Sequence, residues 1–219
     1  MSGQFTLYSY WRSSCSWRVR TALLYKGLQY EYRHVSLIGD KGTTKPDFVK
    51  VNPYRQIPAL VIDDEGRQVT LFQSLAIIQF LDEAYPETPA LLPQDPLTRA
   101  KVRIVADCIS AGIQPLQNIP VLEKMNQIEG PGAGVKWAAQ VISDRLADLE
   151  VILKDYAGKN CVGDQVTMAD VCLVPQVYNA IRFGVDVSSF PLIMRIHDDL
   201  MKLPAFAEGH PSKQPDAVP

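Results

Sequence analysis

Four cysteines, Cys15, Cys108, Cys161 and Cys172, contain no C-x-x-C pair and no zinc-ligand spacing. That excludes a dithiol redox motif of the usual kind and a structural zinc site. The three histidines, His34, His197 and His210, are too scattered to hold a metal, so no metal is expected. There is no excess of either charge: 22 Lys and Arg face 24 Asp and Glu, a net charge of -2. A nucleic-acid partner held by bulk charge would need a basic surplus, so none is expected. No apolar run is long enough to span a bilayer, so no membrane partner is expected. The opening stretch, Met1 to Phe5, lacks the basic-then-apolar layout of a secretion signal. Reduced thiols in a reducing compartment, the cytoplasm, are the resulting expectation. No repeat and no low-complexity tract is present.

What remains is the composition of a globular protein, 47% apolar and 21% charged over 219 residues, with room for two small domains. The period of the pattern changes along the chain. Phe5–Tyr8 and Tyr30–Val35 alternate as strands, and Ser16–Lys26 between them reads as a helix ended by Gly27. This is a β-α-β unit. Pro58–Ile62 and Arg67–Leu71 read as a hairpin with a turn over 63–66, and Ser74–Ala84 as a helix. Pro86, Pro89 and Pro93 then mark a linker. Beyond it the period is helical throughout. Asp95-Pro96 is a helix start, with Leu97, Ala100, Ile104 and Cys108 repeating on one side. Val135, Ala138, Ile142, Leu146, Leu149 and Leu153 form a second stripe, Gly130 to Gly134 a hinge before it, and Thr167–Asp170 a capping box. The expected architecture is an α/β domain over 1–87 and an all-α domain over 94–219.

Chemistry concentrates in Arg12-Ser13-Ser14-Cys15-Ser16-Trp17-Arg18-Val19-Arg20, where the first strand hands over to the first helix. Free amides and the positive end of the helix dipole favour an anion there, and the hydroxyls add donors. A thiolate gains most usefully, because a thiol with an ordinary pKa near ~8.5 reacts poorly at neutral pH. The plain alternative is that Ser13 merely caps the helix. Cys15, at the same helix start, is a second candidate nucleophile. Arg12, Arg18 and Arg20 are candidates to steer an anion, although Arg18 and Arg20 cannot share one helix face. A second spot is Asn52 to Pro58, where a cis Ile57–Pro58 bond would turn the Ile57 backbone outward as a paired donor and acceptor. The third is Gln73-Ser74, read as a helix cap or a carboxylate grip. A tripeptide with a thiol and a free carboxylate fits all three.

These motifs closely resemble the zeta class of soluble glutathione transferases. The resemblance rests on Ser13–Arg20, Asn52–Pro58 and Gln73–Ile78, and continues through Gly112–Asn118, Val162–Asp170 and Lys213–Asp216. It implies a thioredoxin-like N-terminal domain with Pro58 in cis, a helical C-terminal domain and a homodimer. It implies glutathione as cofactor, with Ser13 beside its sulfur and Ser14 and Cys15 lining the same spot. The catalytic group is Ser13 or Ser14. Ser16, Trp17, Arg18, Ile57, Pro58, Gln73, Ser74, Gln114 and Asn118 complete the implied glutathione site, and Arg182 with Arg12 the implied seat of a substrate carboxylate. In Asp40–Pro46 the chain departs from its relatives, showing Thr43 and Thr44 where many carry a glutamine. The implied reaction is cis–trans isomerisation of maleylacetoacetate to fumarylacetoacetate in tyrosine and phenylalanine breakdown. Alternatives are a maleylpyruvate isomerase, a transferase acting on α-halo acids, a thiol-disulfide oxidoreductase using Cys15, and a non-catalytic glutathione carrier.

Overall fold

A computed structural model describes residues 4–64 and 66–218; Glu65, in the expected hairpin turn, and the first three residues lie outside the described residues. Two compact units emerge: one takes the chain up to Leu91 and resumes at Leu203, the other is Leu92–Lys202. The expected boundary near residue 90 is where the chain changes unit. The expected assignment of everything after residue 94 to the helical domain is corrected, because the last stretch packs on the α/β unit instead.

In the first unit, β1 (Gln4–Ser9), α1 (Ser14–Tyr25) and β2 (Tyr30–His34) form the β-α-β unit, with the strands parallel. After α2 (Pro46–Val51) come β3 (Ala59–Asp64), β4 (Arg67–Phe72) and α3 (Ser74–Ala84). The sheet order is β2-β1-β3-β4, with β1–β3 and β3–β4 antiparallel. Alternation buries Phe5 and Leu7 of β1 and Leu60 and Ile62 of β3 with Val19 and Leu23 of α1 and Ile77, Ile78 and Leu81 of α3. Lys26, just past α1, is fully buried: its Nζ donates to Asp82 (3.1 Å) and to the Pro89 carbonyl (3.1 Å). Asp82 in turn accepts the Leu91 amide (2.7 Å), so one ion pair holds the end of the unit's first pass in place. The short helix α9 (Pro204–Gly209) closes the unit against α1.

The second unit holds α4 (Pro96–Ser110), α5 (Ile119–Glu129), α6 (Ala133–Tyr156), α7 (Met168–Arg182) and α8 (Pro191–Leu200). Asp95 caps α4 by accepting the Thr98 amide (2.8 Å), with Pro96 in the first turn. The side of α4 that carries Leu97 and Ile104 is not the buried one: Val102, Val105, Ala106 and Ile109 are buried, while Leu97 and Ile104 are 67% and 43% exposed. The α6 stripe stands from Ala138 to Leu153, but Val135 is exposed. Asp170 starts α7 by accepting both the amide (2.8 Å) and the hydroxyl (2.9 Å) of Thr167, and it also accepts the Cys161 amide (2.8 Å). The expected hinge between α5 and α6 is a defined turn. Gly130 and Gly132 take positive φ of 97° and 89°, which glycine alone adopts freely, and Asn126 accepts the Gly134 amide (2.8 Å). Among the described residues no helix is long and apolar enough to cross a membrane.

Candidate active site

Strand register gathers the three expected spots at one end of the sheet. Tyr8 pairs with Ala59 and Ala59 with Phe72. The C-terminal end of β1, the N-terminal end of β3 and the C-terminal end of β4 are therefore neighbours. From these ends run the Tyr10–Ser13 loop, the Ile57–Pro58 dipeptide and Gln73. The Ile57–Pro58 bond is cis.

Helix α1 begins at Ser14, two residues earlier than the apolar period indicates. Ser13 is its N-cap, and the Ser13 Oγ accepts the Ser16 amide at 3.2 Å. The amides of Ser14 and Cys15 precede the helix's own hydrogen-bond ladder and point out of its N-terminus. Ser13 and Cys15 are half-buried, and Ser14 is buried. The cap bond uses an oxygen lone pair of Ser13 and leaves its hydroxyl proton to donate. The two readings of this serine, helix cap and anion donor, are thus compatible in one geometry.

At α3 the expected cap is corrected. Gln73, not Ser74, is the N-cap, and its backbone is left-handed, with φ 71°. A glutamine held there is strained, and such strain collects at ligand sites. Ser74 is the first helical residue and is buried. Its Oγ accepts from Nη1 of Arg18 at 3.3 Å. Arg18 is only 1% exposed, and its Nε and Nη2 have no hydrogen-bond partner among the described residues. A buried cation without its full set of acceptors is costly and attracts an anion. Arg18 therefore ties the N-termini of α1 and α3 together and charges the space between them positively.

Other expected residues play packing roles. Trp17 is 1% exposed and meets His210 edge-on (5.2 Å between rings), and Ser16 is fully buried. Arg20 is fully buried and structural, and burial pushes its guanidinium down to about 10, still protonated at neutral pH. Arg12 is half-buried with its guanidinium over the Trp11 ring (5.1 Å). Thr43 is buried, and the Thr44 hydroxyl donates to the Lys41 carbonyl (2.8 Å). A cavity of about 380 Å³ lies beside α2, lined by Tyr8, Val35, Lys45 and Phe48 among others. It contains none of Ser13, Ile57, Gln73 or Ser74 and plays no part in this site.

On the second unit, Gln114 opens a 3₁₀ turn (Gln114–Gln117) and Asn118 caps α5, its Oδ1 accepting the Ile119 amide (3.0 Å). Arg182 ends α7, exposed, with its guanidinium over Phe183 (4.9 Å). Leu116, in the same turn, is 38% exposed. Two features were not foreseen from the sequence: the Arg18–Ser74 tie, and Asp216, which reaches back to the loop before Ser13. The sequence signal for the first is an arginine on the apolar face of α1. Nothing local marks the second.

Residues 12–84 match the family described as "Glutathione S-transferase, N-terminal domain". The chain is 50% identical over 216 residues to the maleylacetoacetate isomerase of Mus musculus, covering 98% of this chain and 96% of that one. Its fold matches maleylacetoacetate isomerase from Anaeromyxobacter dehalogenans, solved with dicarboxyethyl glutathione and citrate in the active site. That match has a TM-score of 0.89 and 43% identity, covering 100% and 99% of the two chains. A solved maleyl pyruvate isomerase, described as a bacterial glutathione S-transferase of the zeta class, matches with a TM-score of 0.90 and 40% identity, covering 97% and 100%. Taken with the capped serine motif, the cis-proline edge and the Gln73-Ser74 turn, these likenesses show that the chain belongs to the zeta class of glutathione transferases, the family of the maleylacetoacetate isomerases.

Proposed function

We propose that this chain is a glutathione-dependent cis–trans isomerase acting on maleylacetoacetate, a step in tyrosine and phenylalanine breakdown. The observation that carries the reading is the pair of helix N-termini at one sheet end, joined by the buried cation of Arg18. The site fits glutathione on its own terms, since unpartnered donors of Arg18 and the first amides of α1 face an anion's place. Bound glutathione would supply a thiolate whose addition turns the conjugated cis double bond into a single bond; rotation about that bond and elimination of the thiolate would then leave the trans isomer. Ser13 donates its remaining hydroxyl proton to the sulfur and lowers the thiol pKa. Ser14 and Cys15 line the same helix start. Ile57 presents its peptide group to the cysteinyl backbone, while Gln73 and Ser74 hold the γ-glutamyl carboxylate with Arg18 behind them. Arg182 is the helical unit's candidate for a substrate carboxylate, and Arg12 that of the α/β unit. The same thiolate suits displacement of halide from small α-halo acids.

The protein acts as a homodimer in the cytoplasm. Support for the first is the apolar surface of α4 at Leu97 and Ile104, and for the second that none of the four cysteines forms a disulfide among the described residues. The test is an isomerase assay on maleylacetone with and without glutathione. Turnover that requires glutathione supports the reading, and turnover on maleylpyruvate alone would shift the substrate. Binding of glutathione with no turnover on either compound would leave a carrier.

A further inference from the structure

The last stretch of chain holds the catalytic loop from both sides. Arg20 donates from Nε (3.2 Å) and Nη2 (3.0 Å) to the Gly209 carbonyl, at the end of α9. The same guanidinium donates to the carbonyls of Tyr10 (3.3 Å) and Trp11 (3.0 Å) and to the Ser9 hydroxyl (3.1 Å). The Tyr10 carbonyl also accepts the Ser13 amide (3.0 Å). Arg20 therefore fixes the carbonyl side of the loop that delivers Ser13. Its amide side is fixed by Asp216, whose carboxylate accepts the Trp11 N–H at 3.0 Å. Asp216 is itself anchored by the Tyr32 hydroxyl (2.6 Å) and by Nδ1 of His34 (2.6 Å) at the end of β2. Its side chain is only 9% exposed, so these bonds are little weakened by water. Behind it, Gln214 donates to the carbonyls of Glu208 (2.9 Å) and His210 (2.9 Å), which stiffens the tail itself.

We propose that Asp216 is a positioning residue for the Ser13 site, and that the tail from Leu203 onward is a clasp that sets the geometry of the loop carrying Arg12 and Ser13. Both backbone polar groups of Trp11 are held, its C=O by Arg20 and its N–H by Asp216. Release of the N–H lets the loop tilt, and the Ser13 hydroxyl loses its aim at the sulfur it must stabilise. Displacements well under an ångström at such a donor are felt in turnover more than in binding.

The inference rests on the isomerase reading above, and its test keeps the two apart. The full-length Asp216→Asn variant is compared with wild type for turnover, KM for glutathione, thermal stability, and the pKa of bound glutathione's thiol by ultraviolet titration. Turnover falls about tenfold or more, KM for glutathione changes far less, and the bound thiol titrates at higher pH. The direction of that titration discriminates, because removal of a negative charge acting only through space would lower the thiol pKa. Tyr32→Phe and His34→Ala each remove one anchor of Asp216 and keep the Trp11 bond, so each lowers turnover by less than Asp216→Asn does. Should Asp216→Asn fail to fold, Asp216→Glu keeps charge and acceptors while displacing them by one methylene, and it shows the same pattern in smaller measure. A wild-type thiol that stays protonated overturns both the reading and the clasp. A wild-type thiol that ionises, with Asp216 variants that lose only thermal stability, overturns the clasp alone.

Discussion

A hydroxyl whose oxygen accepts the Ser16 amide still has its proton to give, and Ser13 is held in that state by the helix it caps. Ser13→Ala removes the donor and the cap together. Turnover is expected to drop about 10²-fold, as when one preorganised donor to a developing anion is lost, while glutathione affinity changes far less. Steady-state kinetics with a binding titration checks this, and unchanged turnover would refute the role of Ser13. Cys15→Ala is expected to retain isomerase activity; loss of all activity would favour a redox route through that thiol. The other cysteines separate by burial. Burial, aided by the Asp170 carboxylate beside it, pushes the Cys161 thiol well up and keeps it protonated and inert. Alkylation of the native protein near neutral pH should label half-buried Cys15 and spare Cys161 and Cys172, which react only after unfolding. At this scale the sequence was most readable at Ser13, whose place between a strand and a helix marks it as a cap. It misled at Ser74, a natural cap whose oxygen instead accepts Arg18. A partner 56 positions away leaves no trace in local pattern.

Elements begin and end where caps and backbone angles dictate. At α4 the amide and hydroxyl of Thr98 hold the Asp95 carboxyl below its ordinary value. A depressed carboxyl contributes stability that is present above its unfolded pKa, about 4, and is lost as pH falls through the lower folded value. Asp95→Ala should therefore lower the melting temperature near neutral pH and flatten the acid limb of the stability curve. Between α5 and α6 the constraint is spatial: a Cβ on Gly134 would lie 2.5 Å from the Leu122 carbonyl oxygen. Gly134→Ala is expected to destabilise the protein by about 1–3 kcal/mol, the usual cost of overpacking, as read by denaturant titration. The apolar stripe on α4 shows what periodicity can and cannot tell. Leu97, Ala100 and Ile104 do share a face, but Val102, Val105, Ala106 and Ile109 share another, and only packing partners decide which is buried. The α6 stripe was legible because its apolar residues leave one candidate face.

For the whole molecule, the order of the chain is not the order of its packing. The α/β unit is completed by residues from the far end, and its buried Lys26–Asp82 pair closes the segment before the helical unit begins. Asp82→Ala would leave the Lys26 charge buried and uncompensated, at about 3–5 kcal/mol, measurable as a lowered denaturation midpoint. Truncation after Lys202 should expose the face of α1 that α9 covers and yield aggregation-prone protein, even though the helical unit is untouched. The outward stripe of α4 belongs to this scale as well. Replacing Leu97 and Ile104 by aspartate should shift a homodimer towards monomer in sedimentation velocity without unfolding α4, because both side chains are exposed. The two-domain plan was readable from the change of period near residue 90. The return of the tail was not, because α9 is six residues long and the element it packs on, α1, lies at the other end of the chain.

The central claim is that Ser13, at the start of α1 and backed by the Arg18 cation, makes a bound tripeptide's sulfur anionic at neutral pH. Ultraviolet titration of glutathione bound to the wild-type protein tests it most directly. The account predicts a thiolate at pH 7, titrating at least about one unit below the ordinary thiol value near ~8.5; a sulfur that stays protonated at pH 7, as in free solution, would contradict it.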